Sequence, residues 1–226
     1  AGDILILEGD GNGSDRLTVS GEVTGFETFV VDTGGEVRMT GNTVTGVGTA
    51  QVDGTFDITD LTSFDASTTL NVNSGGTLIT DVDTTLNVAR LFVAADGGLA
   101  TTSDILFGGA GNQFIYEAAA AGEILGVNVN AGAGADSVSF NGGSGGLTLT
   151  GNYTGFETMT IADNAVTFGA GSSLDPLNSV ILSGANSALT ISDLAAFSSA
   201  GVMLSDGTSL TSDSDTVIQA VSLSMG

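Results

Sequence analysis

A 24-residue window occurs twice in this chain, and its two copies lie 130 positions apart in strict register. The first copy, Thr18 to Gly41, reads TVSGEVTGFETFVVDTGGEVRMTG, and the second, Thr148 to Gly171, reads TLTGNYTGFETMTIADNAVTFGAG. Repetition of this kind is typical of architectures in which one supersecondary unit stacks on itself. The repeat therefore restricts the chain to a fold that grows along one axis.

A finer unit of 21–22 residues underlies the long repeat. Each unit is a short β run, a turn of Gly, Asn or Asp, and a second β run, as in LNVNSGGTLIT from Leu70. From Met159 to Val180 the spacing is 21 residues, from Val180 to Val202 it is 22, and six such units span about 130 residues. The chain therefore contains about ten copies of the unit.

Within each unit, apolar residues alternate with Thr, Ser, Asn and Asp, as Leu70 and Val72 illustrate. A period of two indicates strands with one buried face, and Val, Ile, Thr and Phe are residues that strands prefer. We predict an all-β, right-handed parallel β-solenoid (a β-helix) of about ten rungs, folded as a single domain over residues 1–226. An antiparallel β-sandwich is the alternative, because its strands and turns recur at similar intervals.

Both windows contain the sequence TGFET. We predict that its aromatic residues, Phe26 and Phe156, point inward at a corner of the rung. The neighbouring glutamates, Glu27 and Glu157, either face solvent or accept hydrogen bonds from backbone amides of the adjacent rung. We expect a structural role for the element.

The charge of the chain limits its partners. It has 26 acidic residues and 3 basic ones, for a net charge of −23. Such a charge repels phosphate backbones and anionic lipid, so we expect neither nucleic-acid binding nor membrane insertion. The natural counter-charge is a divalent cation, and Ca²⁺ suits sites made only of oxygen ligands.

Three segments approach the pattern G-G-x-G-x-D-x-U-x, in which U is a large apolar residue. They are Asp10 to Thr18 (DGNGSDRLT), Ala131 to Ser139 (AGAGADSVS) and Gly108 to Tyr116 (GGAGNQFIY). The first two depart from the pattern only at the first Gly, whereas the third has Gln113 in place of Asp. The segments resemble RTX-type calcium-binding repeats.

This resemblance implies Ca²⁺ as a cofactor, held by turn carbonyls and by the carboxylates of Asp15 and Asp136. Asp10 and Asn12 supply further oxygens at the first segment, which makes it the best candidate. The apolar residues that the resemblance places in the core are Leu17, Ile115 and Val138. Ions of that family lie between consecutive repeats, and the three segments are isolated from one another, so each is expected to supply half a site. The alternative is that all three are tight Gly turns that close a rung.

Other stretches, such as GFETFVV and YTGFETMTIAD, resemble the solenoids of bacterial S-layer proteins, RTX adhesins and autotransporter passengers. That resemblance implies an extracellular protein of the bacterial cell surface with a structural or adhesive role. A composition rich in Gly, with no Cys, points the same way.

We predict that the chain is not an enzyme. Without His, Cys or Lys it has no Ser–His or Cys–His pair, no Schiff base and no His-ligated metal. Carboxylate chemistry remains, and a polysaccharide-processing β-helix enzyme is therefore an alternative. Its candidate residues are the pairs Asp81/Asp83 and Asp213/Asp215, which the period of two places on one face of a strand.

A further alternative is an ice- or carbohydrate-binding solenoid with a flat array of Thr side chains. Such an array requires T-x-T at the same rung position over many rungs. Thr158 and Thr160 form one such pair, but the corresponding residues of the first window are Thr28 and Val30. This alternative is therefore weaker than a structural role.

The two ends of the sequence, DILILEGD and AVSLSMG, have the pattern of ordinary strands. Solenoid ends expose unpaired strand edges, which natural proteins cap or blunt. We therefore predict that neighbouring repeats of a longer surface protein cover the ends, or that copies of the chain self-associate end to end.

Overall fold

A computed structural model describes residues 2–8, 16–41, 43–100, 104–119, 122–142, 146–194, 196–213 and 215–225. In these ranges the protein is all-β, with no helix, and its strands stack as a β-solenoid of about ten turns. The predicted fold class is confirmed, and the antiparallel sandwich is wrong, because neighbouring strands of each wall run parallel. The right-handed coil and the single domain stay predictions. No helix of the described chain has the length and apolar character needed to cross a bilayer.

The strands of the N-terminal half are β1 (Ile4–Leu7), β2 (Arg16–Ser20), β3 (Val23–Thr24), β4 (Thr28–Val31), β5 (Glu36–Thr40), β6 (Val44–Val52), β7 (Thr55–Asp60), β8 (Ser63–Val72), β9 (Thr77–Ile79), β10 (Thr85–Val93), β11 (Gly98–Leu99) and β12 (Asp104–Phe107). Those of the C-terminal half are β13 (Gln113–Glu117), β14 (Glu123–Leu125), β15 (Asn128–Asn130), β16 (Ser137–Asn141), β17 (Leu147–Leu149), β18 (Asn152–Thr154), β19 (Thr158–Ala162), β20 (Ala165–Phe168), β21 (Ser173–Leu174), β22 (Leu177–Ser183), β23 (Ala188–Thr190), β24 (Ala196–Leu204), β25 (Ser209–Thr211) and β26 (Val217–Met225).

These strands form walls that the chain visits in turn. The front wall follows the path β1-β4-β6-β8-β10-β13-β16-β19-β22-β24-β26. The first back wall is β11-β9-β7-β5-β2, and the second back wall is β14-β17-β20-β23-β25. A side wall, β12-β15-β18-β21, branches from β10. The front wall therefore continues along the whole rod, while the back is divided between two sheets.

Residues that stack in the front wall are 20 to 24 positions apart, as Ala50 with Leu70 and Phe114 with Val138 show. One inward row is apolar on every strand: Leu5, Phe29, Ala50, Leu70, Leu91, Phe114, Val138, Met159, Val180, Val202 and Leu223. The alternating pattern of the sequence thus becomes a continuous core.

The long repeat corresponds to a whole number of rungs. Six steps of the front-wall register lead from Phe29 to Met159, which are equivalent positions of the two windows. The predicted inward placement of the TGFET aromatics is also found, since Phe156 is buried and Phe26 packs half-buried against the core.

Aromatic rings fill the space between the walls. In the N-terminal half, Phe29, Phe56 and Phe64 contact one another, with ring centroids 5.2 to 6.2 Å apart. The C-terminal half has a second series: Phe114, Phe140, Tyr153 and Phe168. Edge-to-face contacts of this type contribute about 0.5–1.5 kcal/mol beyond the burial of area.

Two outward rows also cross all eleven strands of the front wall. One consists of Ile4, Thr28, Thr49, Thr69, Arg90, Gln113, Ser137, Thr158, Ser179, Gly201 and Ser222. The other consists of Ile6, Val30, Gln51, Asn71, Phe92, Ile115, Ser139, Thr160, Ile181, Met203 and Ser224. These two rows are called the outer face below.

Candidate functional site

The predicted metal ligands fall in two parts of the chain. Asp10, Asn12 and Asp15 lie outside the described residues. Asp136 lies in the turn between β15 and β16, and only 1% of its surface is exposed. Its surroundings therefore define the candidate site.

Two of the Gly-rich segments stack on each other in consecutive rungs. Ser137 N donates a hydrogen bond to Asn112 O at 2.9 Å, which joins the turn at 108–112 to the turn at 131–136. Gly134 has a φ of +151°, and a Cβ there would lie 2.7 Å from the Cβ of Ala110. Glycine therefore allows one turn to rest directly on the other. The expectation that these segments are isolated from one another is wrong for this pair, because one rung of chain brings them together.

The stacking also corrects one predicted core residue. Val138 is buried, as expected. It pairs with Phe114, however, so Ile115 lies in the outward row and is half-buried. The turn before β13 is one residue shorter than the turn before β16, and this shifts the apolar position. Leu17 aligns with buried Val37 but is 38% exposed.

Asp136 fastens the two turns together. Its Oδ1 accepts hydrogen bonds from Asn112 N at 2.5 Å and from Asn112 Nδ2 at 3.0 Å. The same Nδ2 lies 2.9 Å from Gly109 O and 3.2 Å from Ala131 O. Hydrogen bonds to an ionised carboxylate are about twice as strong as neutral ones. One oxygen of Asp136 is thus engaged in holding the rungs together.

The next rung continues this contact through the second TGFET element. Glu157 Oε2 accepts a hydrogen bond from Asp136 N at 2.6 Å, and Glu157 N donates to Asp136 O at 3.0 Å. In the first window, Glu27 N donates to Asp3 O at 3.0 Å. The windows therefore make the same backbone contact with the preceding rung, and the predicted bond from the glutamate side chain to a backbone amide is confirmed for Glu157.

The second oxygen of Asp136, Oδ2, is buried without a hydrogen-bond partner among the described residues. An unpaired buried carboxylate oxygen is costly, and a cation would satisfy it. Ca²⁺ takes about six to eight oxygen ligands. In the described ranges no group of three or more acidic side chains is placed to hold a metal, and Asp136 has only Glu157 beside it. The donors fit a cation that completes its shell with carbonyl oxygens and water.

The two Asp-x-Asp pairs do not lie on strand faces but in turns. Asp81 Oδ1 accepts hydrogen bonds from Asp83 N at 3.1 Å, from Thr84 N at 3.0 Å and from Thr84 Oγ1 at 2.8 Å. Asp213 Oδ1 accepts an equivalent set, including Thr216 Oγ1 at 2.8 Å. The Thr216 hydroxyl is the main reason why the pKa of Asp213 is lowered from its ordinary value. Each first carboxylate therefore stabilises its own turn.

Two tyrosines are held in their neutral form. Burial, and then a hydrogen bond donated to the Glu123 carboxylate, raise the pKa of Tyr116 far above its ordinary value. Burial likewise raises the pKa of Tyr153, whose hydroxyl has no partner among the described residues. Neither phenol is therefore available as a base near neutral pH.

A cleft of about 380 Å³ runs along the side wall, and sequence reasoning missed it. Asn128 Nδ2 donates to Asp104 Oδ1 at 2.6 Å, and Asn152 N donates to Asn128 Oδ1 at 2.9 Å. Ser173 Oγ extends the ladder to Asn152 Oδ1 at 2.7 Å. The signal in the sequence is the spacing of 24 residues between successive members. This ladder stitches four rungs of the side wall together.

The described carboxylates thus share one type of work, which is to fasten turns and rungs. Asp136 alone combines deep burial with an oxygen that no described group satisfies. It is the point at which a ligand would add most to the structure. No family model matches the chain, and comparisons with curated proteins and with solved structures find no match either.

Proposed function

We propose that this chain is a non-enzymatic structural module of the bacterial cell surface, in which the rod of stacked rungs is itself the functional element. The observation that carries the proposal is the inward row of the front wall, which is apolar on all eleven strands. At about 4.8 Å per strand, such a row extends over about 50 Å. A stiff element of this length suits an S-layer, a filament or an adhesin stalk.

The terminal strands support an assembly role. Leu223 and Met225 continue the inward rows into β26, where they are 59% and 77% exposed. At the other end, Leu5 and Leu7 of β1 face the core but are only half-buried. Burying a Leu side chain fully contributes about 1.5–3 kcal/mol. We propose that a further rung covers these residues, from a second copy of the chain or from neighbouring repeats of a longer surface protein.

The distribution of charge favours contact through the ends. Neither β1 nor β26 contains a charged residue, although the chain has a net charge of −23. Two copies repel each other over most of their surface, and least where their terminal strands meet. The composition, rich in Gly and without Cys, supports an extracellular location for such an assembly.

Light scattering of the purified chain over a range of protein concentrations tests the end contact. We expect the mean mass to rise with concentration, and to rise less in Leu223→Glu, which puts a charge on the open end of the core. Ile124→Glu is the matched control, because Ile124 is 67% exposed on the second back wall, away from both ends. A chain that stays monomeric at every concentration rules out assembly of copies end to end.

We also propose that Ca²⁺ stabilises the rod at the stacked Gly-rich turns. The unsatisfied Oδ2 of Asp136 supports this. A cation bound only by the folded chain raises its melting temperature, so we expect EDTA to lower Tm and added Ca²⁺ to restore it. Asp136→Asn keeps an oxygen for Asn112 but removes the charge, and it should lose the response to Ca²⁺. An unchanged Tm in the parent chain contradicts the proposal.

A second candidate, ice or carbohydrate binding, is favoured by one observation. On the second back wall, four threonines stack in register: Thr148, Thr167, Thr190 and Thr211. The neighbouring row has Ala165, Ala188 and Ser209 in place of the second Thr of a T-x-T pair. Thermal hysteresis of the purified chain, compared with Thr167→Tyr, tests this role. Equal freezing behaviour of chain and buffer excludes ice binding.

A further inference from the structure

The outer face of the front wall carries no acidic residue on any of its eleven strands. This is unexpected in a chain with 26 acidic residues. The first back wall shows the contrast, because Glu36 and Asp57 lie on its outside. The single charged member of the outer face is Arg90.

The outer face also has the composition of an interface core. Phe92 and Ile115 lie on adjacent strands, and so do Ile181 and Met203. Met203 is 53% exposed. Thr, Ser and amide side chains fill most of the remaining positions. Interface cores are depleted of charge and enriched in aromatic residues and Met.

The size of the face matches that of a stable interface. Eleven strands at about 4.8 Å give a length of about 50 Å, and five residues along a strand give a width of about 16 Å. The resulting area is about 800 Å² per copy, which is the share that each partner buries in a standard protein–protein interface.

Charge at the edge of the face is complementary to its one cation. Asp32, Asp53 and Glu117 lie one position beyond buried residues at the ends of their strands, along one border of the face. Among the described residues, Arg90 makes no ion pair, whereas Arg38 contacts both Asp57 and Asp60. Arg90 is therefore available to a carboxylate at the border of another copy.

We propose that the outer face binds the same face of a second copy, so that two rods lie side by side. A net charge of −23 on each copy opposes approach through acidic surfaces and leaves this face as the one of least repulsion. The inference rests on the proposed structural role and names its lateral partner. It does not depend on the end contact, so the two contacts can be broken separately.

Sedimentation of variants built on Leu223→Glu, which blocks the end contact, tests the pairing. We expect this parent to form dimers, and to form them more readily as salt screens the charge. Adding Ile115→Glu should weaken dimerisation about tenfold or more, because like charges then meet across the interface. Adding Thr167→Glu on the second back wall should leave it unchanged. Thermal unfolding checks that each variant is folded, and Thr160→Glu replaces Ile115→Glu if that variant is not.

A thiol crosslinking experiment reports the geometry directly, since the chain has no cysteine. On the same parent, Ile115→Cys lies on the sixth of the eleven strands and should be joined to a second copy by a short bis-maleimide. Thr167→Cys should not be joined. A monomeric parent, equal dimerisation of Ile115→Glu and the parent, or equal crosslinking of the two cysteine variants overturns the proposal. Loss of mass growth on Leu223→Glu without effect of Ile115→Glu leaves the end contact and excludes the face.

Discussion

The two back walls occupy the same place in the rung but differ on their outer surfaces. On the first back wall, Arg16 lies 2.7 Å from Glu36 and 3.5 Å from Asp57, while Arg38 lies 3.7 Å from Asp57 and 2.7 Å from Asp60. On the second back wall, the corresponding surface is a row of threonines without charge. Both walls bury apolar residues on the inside.

This difference shows which positions the fold constrains. An inward residue must fill space against the rungs above and below it, so both walls converge on Val, Leu, Ile and Phe. An outward residue meets solvent and its in-register neighbours, and either an ion-pair ladder or a hydroxyl row is compatible with the same backbone. The outer surfaces are therefore free to serve different contacts, whereas the core is not.

The largest effect should be the same in both halves. Phe56→Ala and Phe168→Ala each remove a fully buried ring from an aromatic cluster, and we expect each to cost about 3–5 kcal/mol of unfolding free energy. Urea unfolding measures this, with Phe→Leu at each position as the milder control. If one site costs less than half as much as the other, the two cores are not equivalent.

The sequence was sufficient for the period of the rod and for the inward rows. Strand alternation is a local property, and a core that repeats every rung copies it faithfully, which is why Phe29 and Met159 are equivalent as predicted. The division of the back into two walls was not predictable. It depends on pairing between β11 and its neighbours, two short strands among many similar ones.

The candidate site was predicted only in part. Asp136 was selected because of its glycines, but its contacts with Asn112 and Glu157 require the rung register, which brings residues 24 and 21 positions apart together. The Asp-x-Asp pairs were misassigned to strands, since an alternating pattern does not distinguish a strand from a turn in which a carboxylate accepts backbone amides. Thr84 and Thr216, each three residues after an Asp, were the missed signal.

These two turns offer a second comparison between the halves. Thr84 is fully buried, and its hydroxyl lies 3.0 Å from both Ile58 O and Leu61 O and 2.8 Å from Asp81 Oδ1. We expect Thr84→Val to cost about 1–3 kcal/mol, because buried acceptors lose their donor. Thr216→Val should cost less, since Thr216 is only half-buried.

Urea unfolding again measures both costs. The control is Thr77→Val, at an outward position where the described residues provide no hydrogen bond to the hydroxyl. Equal costs at Thr84 and Thr216 would show that burial does not set the strength of this turn.

A smaller effect should distinguish the two back walls directly. Arg38→Gln removes the ion pairs with Asp57 and Asp60, and exposed pairs contribute about 0.2–1 kcal/mol each. We expect a loss in this range at low salt that shrinks at high salt, because ions screen exposed charges. Thr190→Gln on the second back wall should show no dependence on salt. A loss at Arg38 that is the same at all salt concentrations contradicts an ionic origin.

The smallest effect concerns acid, and it should appear at the exposed turn of the C-terminal half. The pKa of Asp213 is lowered by the Thr216 hydroxyl from an ordinary value of 3.8. A carboxylate with a lowered pKa in the folded state stabilises the protein above its unfolded pKa, and this contribution is lost as the pH falls through the folded pKa. The Tm difference between the parent and Asp213→Asn should therefore be constant near neutral pH and shrink below pH 3.8. Asp206→Asn, at an exposed position in another turn, controls for the loss of one negative charge from an acidic protein. A Tm difference that grows as the pH falls would mean that the charge of Asp213 opposes folding, because repulsion from the other carboxylates then outweighs its bond to Thr216.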